Sequence, residues 1–347
     1  MRQVCVSIVL LTTAVTATLG QRSGDNSTSE AIARALRTGR YAEATHLIER
    51  VIGSEPDSGL RNIRDMIRGR PDMEVKQGGA TSLCDVSATG LRLNGTANGQ
   101  PVSWLFDTGA NFSLISDREA SRLGMAINEP SGRAGDLAGG SVAARTATAE
   151  RLTIGATEMR RVTFLVSPAS EMPWKELPPG QQGIMGMPIA MALERVQWSF
   201  DDSCTVGGST QKPSSSIAGT PIFFERVFVM AQVSVEGKPL HFTLDTGNQT
   251  GTQLWPRFGR EFSNLVAERG TKSSARLTQI GGAVDHPTTV IPDLVLGIGD
   301  TDVTLANVHL FSPPVGDDSS YGLLGVDAFA NAREVTIDFQ AMRLIVR

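Results

Sequence analysis

The chain has 347 residues and is poor in histidine, cysteine and aromatic side chains, and these shortages exclude several classes of function. The four histidines are scattered and lack the spacing of metal ligands, so we expect no metal site. The basic residues are dispersed and the net charge is −4, so we expect no nucleic-acid partner. Aromatic residues make up 5% of the chain and glycine occurs 36 times, a composition that favours a turn-rich β protein over a helical bundle.

Long apolar runs are also scarce, and the run at the N-terminus is too short for a stable membrane span. Residues 1–20 contain one early basic residue, Arg2, then an apolar run over residues 4–11 and mostly small residues up to Gly20. This order predicts a secretory signal peptide cleaved near Gly20, and hence an exported protein, periplasmic or extracellular. A buried N-terminal strand is the alternative interpretation.

Only two of the three cysteines, Cys84 and Cys204, lie outside the predicted signal peptide. Export would permit a disulfide between them. Such a bridge would join the two ends of a predicted first lobe, residues 80–207. Two unpaired thiols are the alternative, because the sequence gives no distance between the sulfur atoms.

The most informative feature that is present is the tripeptide Asp-Thr-Gly, which occurs twice, each time at the end of a strand-like run. The two copies begin at Asp107 and Asp245. A single Asp of this kind often does no more than cap a turn. Two carboxylates delivered by equivalent turns can instead be held face to face and share one proton, so that one site is acid and base together.

The surroundings of the two copies match over a long distance. Each copy follows a β-hairpin pattern, with Asn-Gly-Gln-Pro or Glu-Gly-Lys-Pro at the turn. The likeness returns downstream as Gly183-Ile-Met-Gly and Gly322-Leu-Leu-Gly, so that the offset between copies is 138 residues at the aspartates and 139 here. A short helix, at residues 189–195 and 327–333, and a closing hairpin are predicted after each segment. Self-similarity with this period indicates two copies of one domain.

The N-terminal part of the chain has a different pattern. Apolar residues recur at helical spacing, and we predict amphipathic helices at residues 29–37, 41–52 and 59–68. They resemble one tetratricopeptide unit, or a small helical cap or spacer. The predicted organisation is a signal peptide (1–20), a helical N-terminal region and linker (21–79), a first lobe (80–207), a linker (208–220) and a second lobe (221–347).

On these motifs the chain resembles the aspartic peptidases of the pepsin and retropepsin clan. In that clan a hairpin leads into Asp-Thr-Gly, a flexible flap follows, and a hydrophobic-hydrophobic-Gly segment closes each lobe. The resemblance covers about residues 83–347, and each lobe is nearer in length to a retropepsin subunit than to a pepsin lobe. It implies a mostly β fold with two pseudo-symmetric β-barrel lobes, a cleft between them and a small α-helical N-terminal region.

The resemblance also implies a site and a chemistry. Asp107 and Asp245 would be the catalytic pair of an aspartic endopeptidase, activating a water against a peptide or protein substrate without a metal or cofactor. Thr108 and Thr246 would brace the two turns by hydrogen bonds across the lobe boundary. The other implied residues are Gly109 and Gly247 for close backbone approach, and Gly139, Gly140, Gly281 and Gly282 as flap tips.

Asn248 departs from the pattern of the clan, in which Ser, Thr or Ala often follows the glycine of the motif. Its side chain could hydrogen-bond to Asp245 or alter the pKa of that carboxyl. A non-catalytic peptide-binding module on the same fold is therefore one alternative. A scaffold that acts through its helical N-terminus and a zymogen whose N-terminal segment covers the cleft are two others. No oligomeric state is predicted.

Overall fold

The structure of the chain is a computed structural model. It describes residues 26–53, 58–81, 84–87, 90–135, 141–171, 173–199, 203–208, 219–279, 282–313, 315 and 319–347. The predicted signal peptide lies outside the described residues, as does most of the predicted interlobe linker. Within the described ranges no helix is long and apolar enough to cross a membrane.

The described residues of the N-terminal region form three helices and one short strand. These elements are α1 (Asn26–Arg37), α2 (Tyr41–Ile52), α3 (Ser58–Ile67) and β1 (Glu74–Lys76). In α2 the buried residues Tyr41, Ala44 and Ile48 recur at intervals of three and four, which places them on one face of the helix. The first turn of α2 is capped from a distance, since the Asp72 carboxylate accepts a hydrogen bond from Ala42 N at 2.8 Å.

The first lobe is built on a closed barrel of six strands. The barrel runs in the order β3–β4–β10–β5–β9–β8 and returns to β3. The strand β1 adds to its outside by pairing with β9. The elements of this lobe are β2 (Cys84–Ser87), β3 (Gly90–Ala97), β4 (Gln100–Phe106), β5 (Leu114–Ser116), α4 (Asp117–Arg122), β6 (Arg133–Gly135), β7 (Ser141–Ala143), β8 (Arg145–Ile154), β9 (Thr157–Ser167), β10 (Gly183–Met185), α5 (Met187–Leu193), β11 (Arg195–Ser199) and β12 (Cys204–Val206).

The second lobe pairs its strands in the equivalent way. The sequence β14–β15–β22–β16–β21 corresponds to β3–β4–β10–β5–β9 in the first lobe. The strand β19 contacts both β14 and β20, as β8 contacts β3 and β9. The elements of this lobe are β13 (Thr220–Glu225), β14 (Phe228–Val235), β15 (Lys238–Leu244), β16 (Gln253–Leu254), α6 (Pro256–Glu261), α7 (Ser263–Arg269), β17 (Thr271–Gln279), β18 (Gly282–Ile291), β19 (Leu294–Ile298), β20 (Thr301–Leu305), β21 (Val308–Phe311), β22 (Gly322–Leu324), β23 (Glu334–Asp338) and β24 (Arg343–Val346).

The lobes are joined by a sheet to which both contribute. The closing strand of the first lobe, β11, pairs antiparallel with β23 of the second lobe along five residues, from Arg195↔Asp338 to Ser199↔Glu334. The joint sheet has the order β12–β11–β23–β24–β13. Trp198 packs edge-on against Phe329 beside this sheet, with ring centroids 6.0 Å apart. The predicted mostly β fold with two lobes and a helical N-terminal region is thus confirmed.

Two details of the first lobe bear on the sequence predictions. The helix predicted at 189–195 is α5 and ends at Leu193, because Glu194 has a φ of 61° and Arg195 already belongs to β11. Cys204, in β12, is disulfide-bonded. The side chain of Cys84 lies outside the described part of the chain, so the pairing of Cys84 with Cys204 stays a prediction.

Candidate active site

The two Asp-Thr-Gly turns lie at equivalent places, directly after β4 and directly after β15. In each lobe a second strand runs parallel to the first and ends beside the turn: β10 beside β4, and β22 beside β15. The backbone of that second strand fixes the aspartate, since Asp107 N donates to Met185 O and Asp245 N donates to Leu324 O, both at 3.0 Å. The hydrophobic-hydrophobic-Gly segments therefore pack behind the turns.

Asp107 and Asp245 face each other and are both buried, with 1% of each residue exposed. One oxygen of each carboxylate accepts from its own turn: Asp107 Oδ1 from Gly109 N at 2.8 Å, and Asp245 Oδ1 from Gly247 N at 3.0 Å. The other oxygen, Oδ2, is buried in both residues and accepts no hydrogen bond from an N–H or hydroxyl group of the described residues. The Oδ2 atoms are thus the ones left for proton sharing and for a bound reactant.

Burial raises the pKa of both carboxyls. The pKa of Asp107 lies well above its usual range because of burial and the adjacent charge of Asp245, despite the N–H groups of Gly109 and Ala110. Burial raises the pKa of Asp245 to about 6, opposed by the hydrogen bond with Asp107. Two like charges so placed do not both ionise at neutral pH, so the pair holds one proton and titrates as a unit.

Thr108 and Thr246 connect the two turns by four hydrogen bonds with nearly two-fold symmetry. Thr108 Oγ1 donates to Leu244 O at 2.7 Å, and Thr246 Oγ1 donates to Phe106 O at 2.8 Å. Each hydroxyl also accepts from the backbone of the other threonine. Thr108 N donates to Thr246 Oγ1 at 3.1 Å, and Thr246 N donates to Thr108 Oγ1 at 3.2 Å. All four bonds are buried and join one lobe to the other.

We expect Thr108→Val to weaken this connection strongly. Valine keeps the shape but leaves Leu244 O and Thr246 N without their buried partner, which should lower the free energy of unfolding by about 2 kcal/mol or more. Urea unfolding of the purified protein measures this, and Thr108→Ser, which keeps the hydroxyl, is the matched control. A valine variant as stable as the serine variant would show that the crossed bonds contribute nothing.

The motif glycines are placed where no side chain fits. A Cβ built on Gly109 would lie 2.5 Å from Asp245 Cγ, and one built on Gly247 would lie 2.2 Å from Asp107 Cγ. Each glycine thus allows the opposite carboxylate to approach the backbone of its turn.

Asn248 makes its side-chain contacts away from the carboxylate of Asp245. Its Nδ2 donates to Gly251 O at 2.8 Å, and its Oδ1 accepts from Thr250 N at 3.0 Å and from Thr250 Oγ1 at 2.6 Å. Of the groups of Asn248, it is the backbone N–H that lowers the pKa of Asp245. The departure at Asn248 therefore stabilises its own turn.

The predicted flap residues are only partly within the described structure. The strands β6 and β7 form a two-stranded hairpin in the first lobe, but Gly139 and Gly140 lie outside the described residues. In the second lobe β17 and β18 form a long hairpin in which Gln279 pairs with Gly282, and Gly281 lies outside the described residues. Gly282 is thus at the end of the hairpin.

Two hydroxyl residues near the turns were missed from the sequence. Ser113 Oγ accepts from Gly186 N at 3.1 Å, and Thr252 Oγ1 accepts from Gly325 N at 3.2 Å. Each bond ties the turn that follows the aspartate to the segment behind it. Both could have been predicted from the sequence, because a hydroxyl residue lies six or seven positions after each aspartate.

Comparison with known proteins bears on this geometry. A family model described as "Aspartyl protease" matches residues 93–189, which contain the Asp107 turn and the segment that packs behind it. The chain is thus similar to aspartyl proteases over this segment. The match lies within the first lobe and does not reach the second. No curated protein sequence matches the chain.

The solved structures to which the chain is similar are distant in sequence. A retropepsin-like aspartic protease from Rickettsia conorii is 15% identical, covering 39% of this chain and 91% of its own, with a TM-score of 0.26. The structure of edgp is 13% identical, covering 79% and 94%, with a TM-score of 0.40. An aspartic proteinase from Irpex lacteus is 13% identical, covering 77% and 97%, with a TM-score of 0.42. These TM-scores are too low to support an inference about this chain. The evidence for the fold is the pairing of its strands.

Proposed function

We propose that the chain is an exported aspartic endopeptidase that hydrolyses extended peptide segments with Asp107 and Asp245. The observation that carries the proposal is the buried carboxylate pair, with one Oδ2 of each left free of protein donors in the described structure. The family and the fold support a peptidase function. The pattern of residues 1–20 supports export, and we propose the lobe boundaries 80–207 and 221–347 with a linker between them.

The chemistry follows from the single proton of the pair. The ionised carboxylate takes a proton from water, and the oxygen of that water attacks the carbonyl carbon of the scissile bond. The protonated carboxyl donates to the carbonyl oxygen as it becomes an oxyanion. Collapse of the tetrahedral intermediate breaks the C–N bond, and a proton from the pair reaches the leaving amine. The residues need no metal or cofactor for these steps.

The β-hairpins β6–β7 and β17–β18 are the proposed flaps. Main-chain groups at the edge of such a hairpin pair with an extended peptide and exclude water from the reacting bond. Gly139, Gly140, Gly281 and Gly282 are proposed as flap residues on the sequence pattern alone.

The pKa values of the pair predict the pH dependence of cleavage. Below about pH 6 Asp245 gains a proton and the general base is lost. Above the raised pKa of Asp107 both carboxyls are ionised and the general acid is lost. We therefore expect kcat/KM to follow a bell-shaped curve with its acid limb near pH 6.

Initial rates with denatured protein or a quenched fluorescent peptide, from about pH 3 to about pH 9, test this expectation. Circular dichroism at each pH controls for unfolding. A rate that keeps rising down to the lowest pH, with the fold intact, would contradict the assigned protonation states.

The alternative function, a peptide-binding module without catalysis, has less support from the structure than from the sequence. Its support was the unusual residue Asn248, and that side chain bonds to Thr250 and Gly251 instead of to Asp245.

A further inference from the structure

We propose that the three N-terminal helices form a built-in cap that holds the edge of the first flap, and that peptide cleavage requires this cap to lift. The proposal rests on the proposed function, since it concerns access to the same site. It assigns a function to α1–α3, which the catalytic chemistry does not use. Three sets of contacts carry it.

The first set is between α3 and the β6–β7 hairpin. Asn62 Nδ2 donates to Arg133 O, and Arg133 N donates to Asn62 Oδ1, both at 2.7 Å. The side-chain amide of Asn62 thus hydrogen-bonds to both the N–H and the carbonyl group of Arg133, as the backbone of a neighbouring extended strand would. Gly132 lies close against the same helix, because a Cβ there would be 2.8 Å from Asn62 O and 3.0 Å from Met66 N. The flap edge that could pair with a peptide is therefore occupied by α3.

The second set is between α2 and the turn that follows Asp107. Tyr41 stacks on Phe112, five residues beyond the aspartate, with ring centroids 5.7 Å apart and planes at 22°. Tyr41 is 2% exposed and its hydroxyl has no hydrogen-bond partner in the described structure. A buried hydroxyl without a partner is unfavourable, so this packing is less stable than an apolar contact of the same area. A contact of this kind suits an element that must come away.

The third set extends to the second lobe. Arg37, at the end of α1, donates to the backbone oxygen of Arg226 in the β13–β14 turn. Its guanidinium lies 4.2 Å from the centre of the Phe224 ring and also pairs with Glu30 at 2.6 Å. The helices consequently contact both lobes and the first flap at once.

The helices and the floor of the site share one apolar cluster, which is the reason to call the arrangement a cap. The cluster includes residues adjacent to both catalytic turns, among them Ala110, Ile184 and Leu323, all at most 2% exposed. The helices therefore pack against residues that surround both Asp-Thr-Gly turns, where the two aspartates are also buried. The strand β1 pairs with β9, so the region stays attached to the lobe while the helices move.

The test compares Asn62→Ala with Arg64→Ala. Asn62 makes the two bonds to the flap, whereas Arg64, on the same helix, bonds to Asp65 beside it. Loss of two hydrogen bonds should raise the population of the uncapped form about 5- to 150-fold. We expect kcat/KM for a fluorescent peptide to rise by that factor in Asn62→Ala and to stay at the wild-type value in Arg64→Ala.

A second measurement separates this proposal from the proposed function. The association rate of a statin-containing peptide, a mimic of the tetrahedral intermediate, reports access to the cleft without needing turnover. We expect it to rise in Asn62→Ala, and further when Arg37→Ala is added. Faster binding with no cleavage by any variant would support the cap and overturn the peptidase. Equal cleavage and equal binding by all variants would overturn the cap and leave the peptidase standing. Slower binding in Asn62→Ala would also overturn the cap, and would mean that Asn62 holds the flap in its productive position.

Discussion

Asp107→Asn and Asp245→Asn should each lower kcat for peptide cleavage by about 10²- to 10⁴-fold, because each removes one half of the proposed acid–base pair. Asparagine has nearly the same size and keeps an oxygen that can accept from the N–H groups of the turn. It cannot take a proton from water or give one to the developing oxyanion. The losses should be similar for the two residues, since one proton serves both.

Folding stability provides the control for these variants. The folded state raises the pKa of both carboxyls, so it binds more protons than the unfolded chain. The contribution of the pair to stability is therefore favourable at low pH and is lost as pH rises from about 4 through the folded pKa values. At neutral pH we expect both Asn variants to melt at or above the wild-type temperature.

Asp300→Asn changes an exposed carboxylate in the turn between β19 and β20 and should alter neither activity nor melting temperature. If either active-site variant melts well below the wild type, its inactivity would report misfolding instead of lost chemistry. If either variant retains wild-type kcat, the shared-proton mechanism is wrong.

Gly247→Ala should abolish activity almost as completely, without removing any reacting group. A Cβ at this position would lie 2.2 Å from Asp107 Cγ and Oδ2, a distance that non-bonded atoms do not reach. One carboxylate has to move, and a displacement of about 1 Å in a reacting group costs about 100-fold in rate. Overpacking of a buried site should also lower the free energy of unfolding by about 1–3 kcal/mol.

Gly79→Ala is the matched control for this substitution. Gly79 has no atom within 4 Å of the position that a Cβ would take, so alanine fits there freely. The rates of the two alanine variants on the same peptide, with melting curves for each, make the comparison. Wild-type activity in Gly247→Ala would show that the close approach of turn and carboxylate is irrelevant to catalysis.

The local elements were predictable because short-range chemistry determines them. The hairpin β3–β4 turns at Asn98 and Gly99, which have φ values of 48° and 80°, and the Asn-Gly pair in the sequence marks such a turn. The helix α2 was predicted to its end residues, because Gly39 precedes it and its buried residues follow helical spacing. The two aspartates were predictable as a pair because their turns recur in matched surroundings.

The contacts between distant elements were not predictable. The sequence of β11 alternates buried and half-buried residues, which indicates a strand but does not say that its partner is β23 of the other lobe. The apolar face of α2 predicted a helical cap or spacer without identifying the surface it covers. Asn62 resembled any polar residue on a helix, and only the fold brings it to Arg133, 71 residues away.

The most direct test of the central claim is to search for new peptide termini, by mass spectrometry, in a denatured protein mixture incubated with the purified protein. The incubation should be run near neutral pH with the Asn62→Ala chain, and in parallel with the same chain carrying Asp245→Asn. We expect internal cleavages with the first protein and none above background with the second. New termini in equal number from both, or none from either at any pH, would contradict the claim.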